Sequence, residues 1–242
     1  MGKRALARLG SAALALCLAG CSAPAAEDRG AAGPPARPSE GPVAESAPEG
    51  ASVVESGWCG AGGTASGPSY YLYSAVLENP SDSADLRDAV LVIEGRDAAG
   101  DVVFSQEEPV PLIAAGDRFA CGGRAGGGAQ AASLELSVSG GAAAEPSAPK
   151  SSELYAVEEV VENGSGPGPS SYTGTLRALA PAPEGFGRAK ASVLLRDAAG
   201  GLTAGYSAVV EAGGVGEAVP FEVPAPGMPQ HSSYEVAAVP WP

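Results

Sequence analysis

The sequence predicts an all-β protein: two tandem antiparallel β-sandwich domains behind a disordered N-terminal segment. Three observations predict it. Gly and Pro together make 57 of the 242 residues, a load hostile to helices, since Gly costs about 1 kcal/mol and Pro about 3 in a helix interior. The apolar residues come in short, alternating runs punctuated by turn residues, the pattern of half-buried strands. The two halves of the chain also repeat one another, with Arg96-Asp97-Ala98-Ala99-Gly100 returning as Arg196-Asp197-Ala198-Ala199-Gly200.

Residues 1–20 read as a signal peptide. Lys3, Arg4 and Arg8 form a positive start, and Leu9 to Gly20 is an apolar run of about twelve residues, shorter than the roughly 20 a membrane span needs. The run ends in Leu18-Ala19-Gly20-Cys21, which resembles a bacterial lipobox. That resemblance implies cleavage before Cys21 and attachment of a diacylglycerol to its sulfur, a reaction that uses the nucleophilicity of a thiolate. The implied location is the extracytoplasmic face of the bacterial cell membrane, and the implied first partner is the lipid bilayer. Multiple acyl chains give stable anchoring where one alone is marginal.

Residues 21–50 follow as a tether. Residues 22–50 hold six prolines, four glycines and eight alanines, with Val43 the one sizeable aliphatic. Such a segment buries too little apolar surface to offset chain entropy and is expected to be disordered.

Folded structure is expected beyond residue 50, because all thirteen aromatic residues lie between Trp58 and Trp241. We place one sandwich at 51–140, a linker at 141–152 where Ala, Gly and Pro cluster, and a second sandwich at 153–242. Ser69 to Glu78, Ala89 to Glu94 and Asp101 to Ser105 read as strands, and 92–103 as a hairpin whose turn uses Asp97 and Gly100. Asp197 and Gly200 supply the same turn in the second half. Leu134 to Val138 and Tyr234 to Ala238 are the matching last runs, and the shared offsets favour an internal duplication. Val193-Leu194-Leu195-Arg196-Asp197 resembles the Phe-x-Leu-Tyr-Asp motif of FxLYD domains. The resemblance implies small immunoglobulin-like sandwiches in a bacterial surface setting, and it carries over no catalytic residue.

Charge narrows the partners. There are 14 basic and 28 acidic residues, a formal net charge of −14, with three lysines in all. Nucleic acid is therefore not expected, since phosphate binding needs clustered Lys and Arg. Removing Lys3, Arg4 and Arg8 with the signal leaves 11 basic residues against 28 acidic, net −17.

Candidate chemistry is sparse. Cys17 leaves with the signal, so Cys59 and Cys121 are expected to pair in an oxidising compartment. Their disulfide would close a loop of about 62 residues, worth about 4 kcal/mol in a chain-entropy account. His231 is the one histidine; it sits in a polar turn and reads as solvated. Asp82, Asp85 and Asp88 lack the alternation of a calcium loop, and Gly122-Gly123 with Gly126-Gly127-Gly128 lack the Gly-Lys-Ser/Thr ending of a phosphate loop. Asn163-Gly164-Ser165 reads as a turn. Tyr70, Tyr71 and Tyr73 crowd one strand; Tyr71 and Tyr73 share a face and Tyr70 points the other way, so they are candidates for a surface contact on one side, with core and edge packing as the competing reading. No catalytic set, metal-ligand set or cofactor is expected. The leading reading is a lipoprotein that presents two non-catalytic interaction modules to an unidentified cell-envelope protein or glycan. The second is a ligand-binding accessory of a transporter or envelope enzyme, which predicts a stiff junction between the halves and a pocket lined by both.

Overall fold

The computed structural model describes residues 50–63, 70–164 and 169–242. Cys21, the signal segment and all but the last residue of the tether lie outside the described residues. The fold is all-β. Six strands, β1 (Ser52–Ala61), β2 (Tyr70–Glu78), β3 (Asp85–Arg96), β4 (Val102–Ile113), β5 (Arg118–Ala125) and β6 (Ser133–Ala144), are followed by one helical turn, α1 (Ser151–Leu154). Six more follow: β7 (Tyr155–Asn163), β8 (Ser171–Ala178), β9 (Arg188–Arg196), β10 (Leu202–Glu211), β11 (Ala218–Pro224) and β12 (Ser233–Trp241). They form four antiparallel three-stranded sheets, ordered β1-β2-β5, β4-β3-β6, β11-β8-β7 and β10-β9-β12. The second half repeats the strand order of the first.

The shared turn has the same hydrogen bonds in both halves. Asp97 Oδ1 accepts from the N–H groups of Ala99 at 2.8 Å and Asp101 at 3.0 Å, while Asp197 Oδ1 accepts from Ala199 and Gly201, each at 2.9 Å. Gly100 and Gly200 have φ of +92° and +86°, a conformation glycine adopts at no steric cost. One cross-strand pair exchanges volume between the halves. Gly95 faces Phe104, whose ring fills the space of a Cβ, whereas Leu195 faces Ala204. The large residue of the pair stands on β4 in the first half and on β9 in the second, so each pair holds one large and one small side chain.

Each half has its own core. The first lies between β1-β2-β5 and β4-β3-β6 and holds Tyr73, Leu77, Leu91, Ile93, Val110 and Phe119. The second lies between β11-β8-β7 and β10-β9-β12 and holds Tyr172, Leu176, Val193, Leu195, Tyr206 and Phe221. A third apolar layer joins them: Val76 and Ala120 meet Leu194 and Leu202. Sheet β1-β2-β5 thus packs on sheet β10-β9-β12, and the two inner sheets are covered on both faces. Every residue from Tyr71 to Leu77 in β2 and from Ala189 to Leu195 in β9 is buried. Such strands lose polar alternation.

The segment 141–152, read as a linker, is held in place. Residues 141–144 extend β6, whose Ala142, Ala143 and Ala144 pair with Arg87, Leu86 and Asp85 of β3. The buried Asp85 carboxylate accepts from the N–H groups of Ala115, Ser147 and Ala148, each at 3.0 Å. Asp117 accepts from the N–H of Ser151 at 2.7 Å and its hydroxyl at 2.8 Å.

The Cys59–Cys121 disulfide is not formed; both are free thiols. Cys59 lies opposite Leu72 and Cys121 opposite Ala75, on the two strands that flank β2. Two strand spacings alone put them about 10 Å apart, beyond the roughly 7 Å limit for a bridge. They also face opposite sides of the sheet, Cys59 toward the junction with the second half and Cys121 into the first core. We predict that digestion of the non-reduced, alkylated protein returns Cys59 and Cys121 as separately alkylated peptides. A cross-linked Cys59–Cys121 peptide would refute the arrangement.

Burial also sets an alkaline limit. It pushes the Cys121 thiol up to about 12, and it raises the phenols of Tyr73, Tyr172 and Tyr206. In the unfolded chain these groups ionise near 8.5 for Cys and 10 for Tyr. Their contribution to stability is therefore complete below about pH 8.5 and is lost as pH rises toward 12. The urea midpoint should fall between about pH 9 and 11, and more shallowly in Cys121→Ala. A flat midpoint over that range would contradict the prediction.

Candidate functional site

Among the described residues, two of the places where polar side chains from distant segments meet are candidates for a site. The first is the junction of the halves. Its centre is built from small residues: a Cβ added to Gly57 would lie 1.8 Å from the Leu202 carbonyl oxygen, and one on Gly122 would lie 2.5 Å from the Gly205 carbonyl carbon. Around them Ser192 and Ser207 share a hydrogen bond of 2.8 Å, and the Gly122 N–H donates to Ser207 at 3.0 Å. The Ser74 hydroxyl is buried here and has no hydrogen-bond partner among the described residues.

Ion pairs close the rim of this junction. Arg196, the residue before the second turn motif, binds both oxygens of Glu55 in the first half and Glu235 of β12 at 2.8 Å. The Arg196 guanidinium holds the Glu55 carboxyl below the usual carboxylate range, with burial opposing and Arg118 assisting. At another edge Lys190 pairs with Glu108 of β4, and its ammonium stands 4.6 Å from the centre of the Trp241 ring. A cleft of about 310 Å³ opens beside the first of these pairs. Glu55, Val76, Arg118 and Ala120 line it from the first half, and Arg196, Glu235 and Val236 from the second. That size stands at the lower end of the range for small-molecule sites.

The second place is at the end of the second core. His231 and Met228 lie in the loop between β11 and β12, Glu162 near the end of β7, and Tyr172 near the start of β8. His231 Nε2 is 3.0 Å from Glu162 Oε2 and 3.2 Å from the Tyr172 hydroxyl. The same hydroxyl is 2.9 Å from Met228 Sδ and 3.3 Å from Glu162 Oε2. The side chain of His231 is 10% exposed, so it is not the solvated loop histidine the sequence suggests. Its polar neighbours cannot be found by local pattern: Glu162 is 69 residues away.

The remaining candidates fall into structural roles. Tyr71 and Tyr73 are core residues, 1% exposed each, which corrects their assignment to a surface contact. The Tyr71 ring packs edge-on against Trp58 at 5.8 Å and stacks on Phe104 at 5.9 Å. Tyr70 turns to the other face, where Arg124 covers its ring at 3.8 Å. Asp85 spends its oxygens on backbone N–H groups, and Asp88 is exposed at φ +54°. Gly122 and Gly123 are inside β5, not in a loop, while Gly126 and Gly128 form the turn after it with φ of +76° and +93°. Asn163 Nδ2 donates to Thr173 Oγ1 at 2.9 Å, which closes the end of the β7–β8 ladder; Ser165 lies outside the described residues.

The fold defines the chain as an all-β protein of two stacked sandwiches. In comparisons with known proteins, no protein-family model matches the chain and no curated protein sequence matches it.

Proposed function

We propose that the chain is an extracytoplasmic lipoprotein, anchored through acylated Cys21, that presents its two sandwiches to a cell-envelope protein or glycan as a non-catalytic binding unit. The lipobox-like Leu18-Ala19-Gly20-Cys21 carries the anchoring part of this reading. The FxLYD-like strand and turn at 193–197 agree with such a setting. Gly57, Gly122 and Gly205 bring the backbones of the two halves together, so a partner would meet both sandwiches side by side; the stiffness of that contact is what the second reading, a ligand-binding accessory, expects. The test is to express the full chain in a bacterial host fed labelled fatty acid. Label that enters the natural chain but not Cys21→Ser supports the anchor. Equal labelling of both, or none in either, refutes it.

The cleft between the halves favours a second reading, a ligand-binding accessory. Its charged lining is largely committed, since Arg196 pairs with Glu55 and Glu235, and Arg118 with Glu78 at 2.7 Å. A ligand there would have to exchange its own charges with those pairs. A melting-temperature screen with small acids and short peptides tests this reading. A shift that Val76→Trp abolishes by filling the cleft supports it, and no shift with any compound counts against it.

A further inference from the structure

The duplication separates scaffold from addition at the end of the second core. In the first half the loop between β5 and β6 is held by a tyrosine: the Tyr71 hydroxyl donates to the Ala131 carbonyl at 2.9 Å and accepts from its N–H at 2.6 Å. The equivalent loops are in register, because Ala132 and Ser232 donate to the carbonyls of Arg96 and Arg196. Ala131 therefore corresponds to His231 and Gly128 to Met228. One tyrosine and a backbone suffice to close this loop. The second half keeps a tyrosine, Tyr172, and surrounds its hydroxyl with an imidazole, a thioether and a carboxylate.

These four atoms are donors to a cation, not only hydrogen-bonding groups. His231 Nδ1 is 3.1 Å from the Pro229 carbonyl oxygen. Donating its proton there leaves Nε2 as a bare lone pair, the tautomer and backbone partner that metal-bound histidines commonly show. That lone pair faces a carboxylate oxygen at 3.0 Å and a phenol oxygen at 3.2 Å. The phenol meets that lone pair with its own O–H, but the carboxylate has no proton to give, and two lone pairs 3.0 Å apart repel unless a positive charge lies between them. The triangle of Nε2, Oε2 and the phenol oxygen has edges of 3.0, 3.2 and 3.3 Å. An ion about 1 Å off its plane lies about 2.1 Å from all three, the bond length of first-row metals to N and O.

We propose that Glu162, Tyr172, Met228 and His231 form a binding site for Cu(II). The donor types choose the metal. Calcium and magnesium take oxygen donors and have no use for a thioether or imidazole. Imidazole, carboxylate and phenolate bind most first-row ions, and copper most tightly in the Irving–Williams order. A weak, long methionine beside stronger nitrogen and oxygen or sulfur donors is an arrangement of copper sites. On binding, the O–H bond of Tyr172 breaks, its proton leaves to solvent, and the phenolate oxygen bonds the metal. The copper stays Cu(II), so no electron donor is required. Met228 and Tyr172 are buried, 6% and 0% exposed, and Glu162 gives the site its opening at 28%.

The test uses the full chain in detergent with accessible thiols alkylated beforehand, titrated with Cu(II) and separately with Zn(II). The natural protein should bind one Cu(II), gain a visible phenolate-to-copper absorption band, and melt at a higher temperature. Tyr172→Phe should lose the band while still folding. His231→Asn and Glu162→Gln should each weaken binding about 100-fold or more, and Met228→Leu less. The band in the natural protein is diagnostic even where a variant fails to fold. Three results would overturn the proposal: no Cu(II) bound, binding of equal strength in His231→Asn, or Zn(II) displacing Cu(II) at equal concentration. Persistence of a doubly protonated His231 ring in saturating Cu(II), read by NMR, would identify the bridging cation as a proton and overturn it too.

Discussion

Replacing Gly122 by valine is expected to unlock the two halves. The new Cβ would lie within 2.7 Å of three backbone atoms, the Gly205 Cα and carbonyl carbon and the Tyr206 nitrogen. No side chain can rotate away to relieve this, so the sheets must separate. Separation exposes the apolar layer of Val76, Ala120, Leu194 and Leu202 and the buried hydroxyls of Ser74 and Ser192. Overpacking a core costs about 1–3 kcal/mol where side chains can adjust, and a clash between backbones belongs at or above the top of that range, about 3 kcal/mol. Calorimetry should show the single transition of the natural chain splitting into two as the halves melt independently. Gly127→Val is the control, because a Cβ there meets nothing within 4 Å. A Gly122→Val protein that melts in one transition at the natural temperature would mean that the halves do not depend on this contact.

The same junction explains why the stacking involves unlike faces. The first half offers its β1-β2-β5 sheet and the second its β10-β9-β12 sheet, which is the counterpart of β4-β3-β6. At the repeat offset, Gly205, Ser207 and Leu194 at the junction correspond to Ser105, Glu107 and Glu94 on the first half's outer sheet. Glycine permits backbone contact and leucine fills the layer, whereas a glutamate there would have to be buried unpaired. The two sheets differ at these positions in the way that a buried face differs from a solvated one.

What the sequence revealed and what it hid follow from the range of the interactions. The hairpins were legible because Arg-Asp-Ala-Ala-Gly closes on itself within five residues. The strands were legible because period-two patterning is local. The junction was not, because Gly57, Gly122 and Gly205 look like turn glycines until two sheets are stacked. Tyr71 and Tyr73 were misplaced for the same reason: crowded tyrosines on a strand suit a surface or a core equally, and only the covering sheet decides. The cysteines were misread because an even count in an oxidising compartment says nothing about which face of a sheet each side chain takes. The His231 cluster joins three segments, and its members carry no shared spacing.

The electrostatic lock across the junction should show a marked asymmetry between its partners. Lys190 projects from β9 into a position where its side chain is 6% exposed, and Glu108 of β4 receives it at 20%. Burial first, and then the same carboxylate, raise the Tyr73 phenol. Glu108→Ala removes the countercharge and leaves a desolvated ammonium with the Trp241 ring as its nearest support. Stranding a buried charge in this way costs about 3–5 kcal/mol, more than a cation–π contact of about 1–2 kcal/mol returns. Lys190→Met keeps the length and the packing of the aliphatic stem. It strands only Glu108, which has enough exposure to take up water, so its cost should be smaller. The double variant Glu108→Ala, Lys190→Met removes both charges and should recover most of the loss seen in Glu108→Ala alone. Urea midpoints of the three variants measure this directly. Equal costs for the two single variants, adding in the double to within about 0.5 kcal/mol, would show that the two groups act independently and that this ion pair does not lock the halves together.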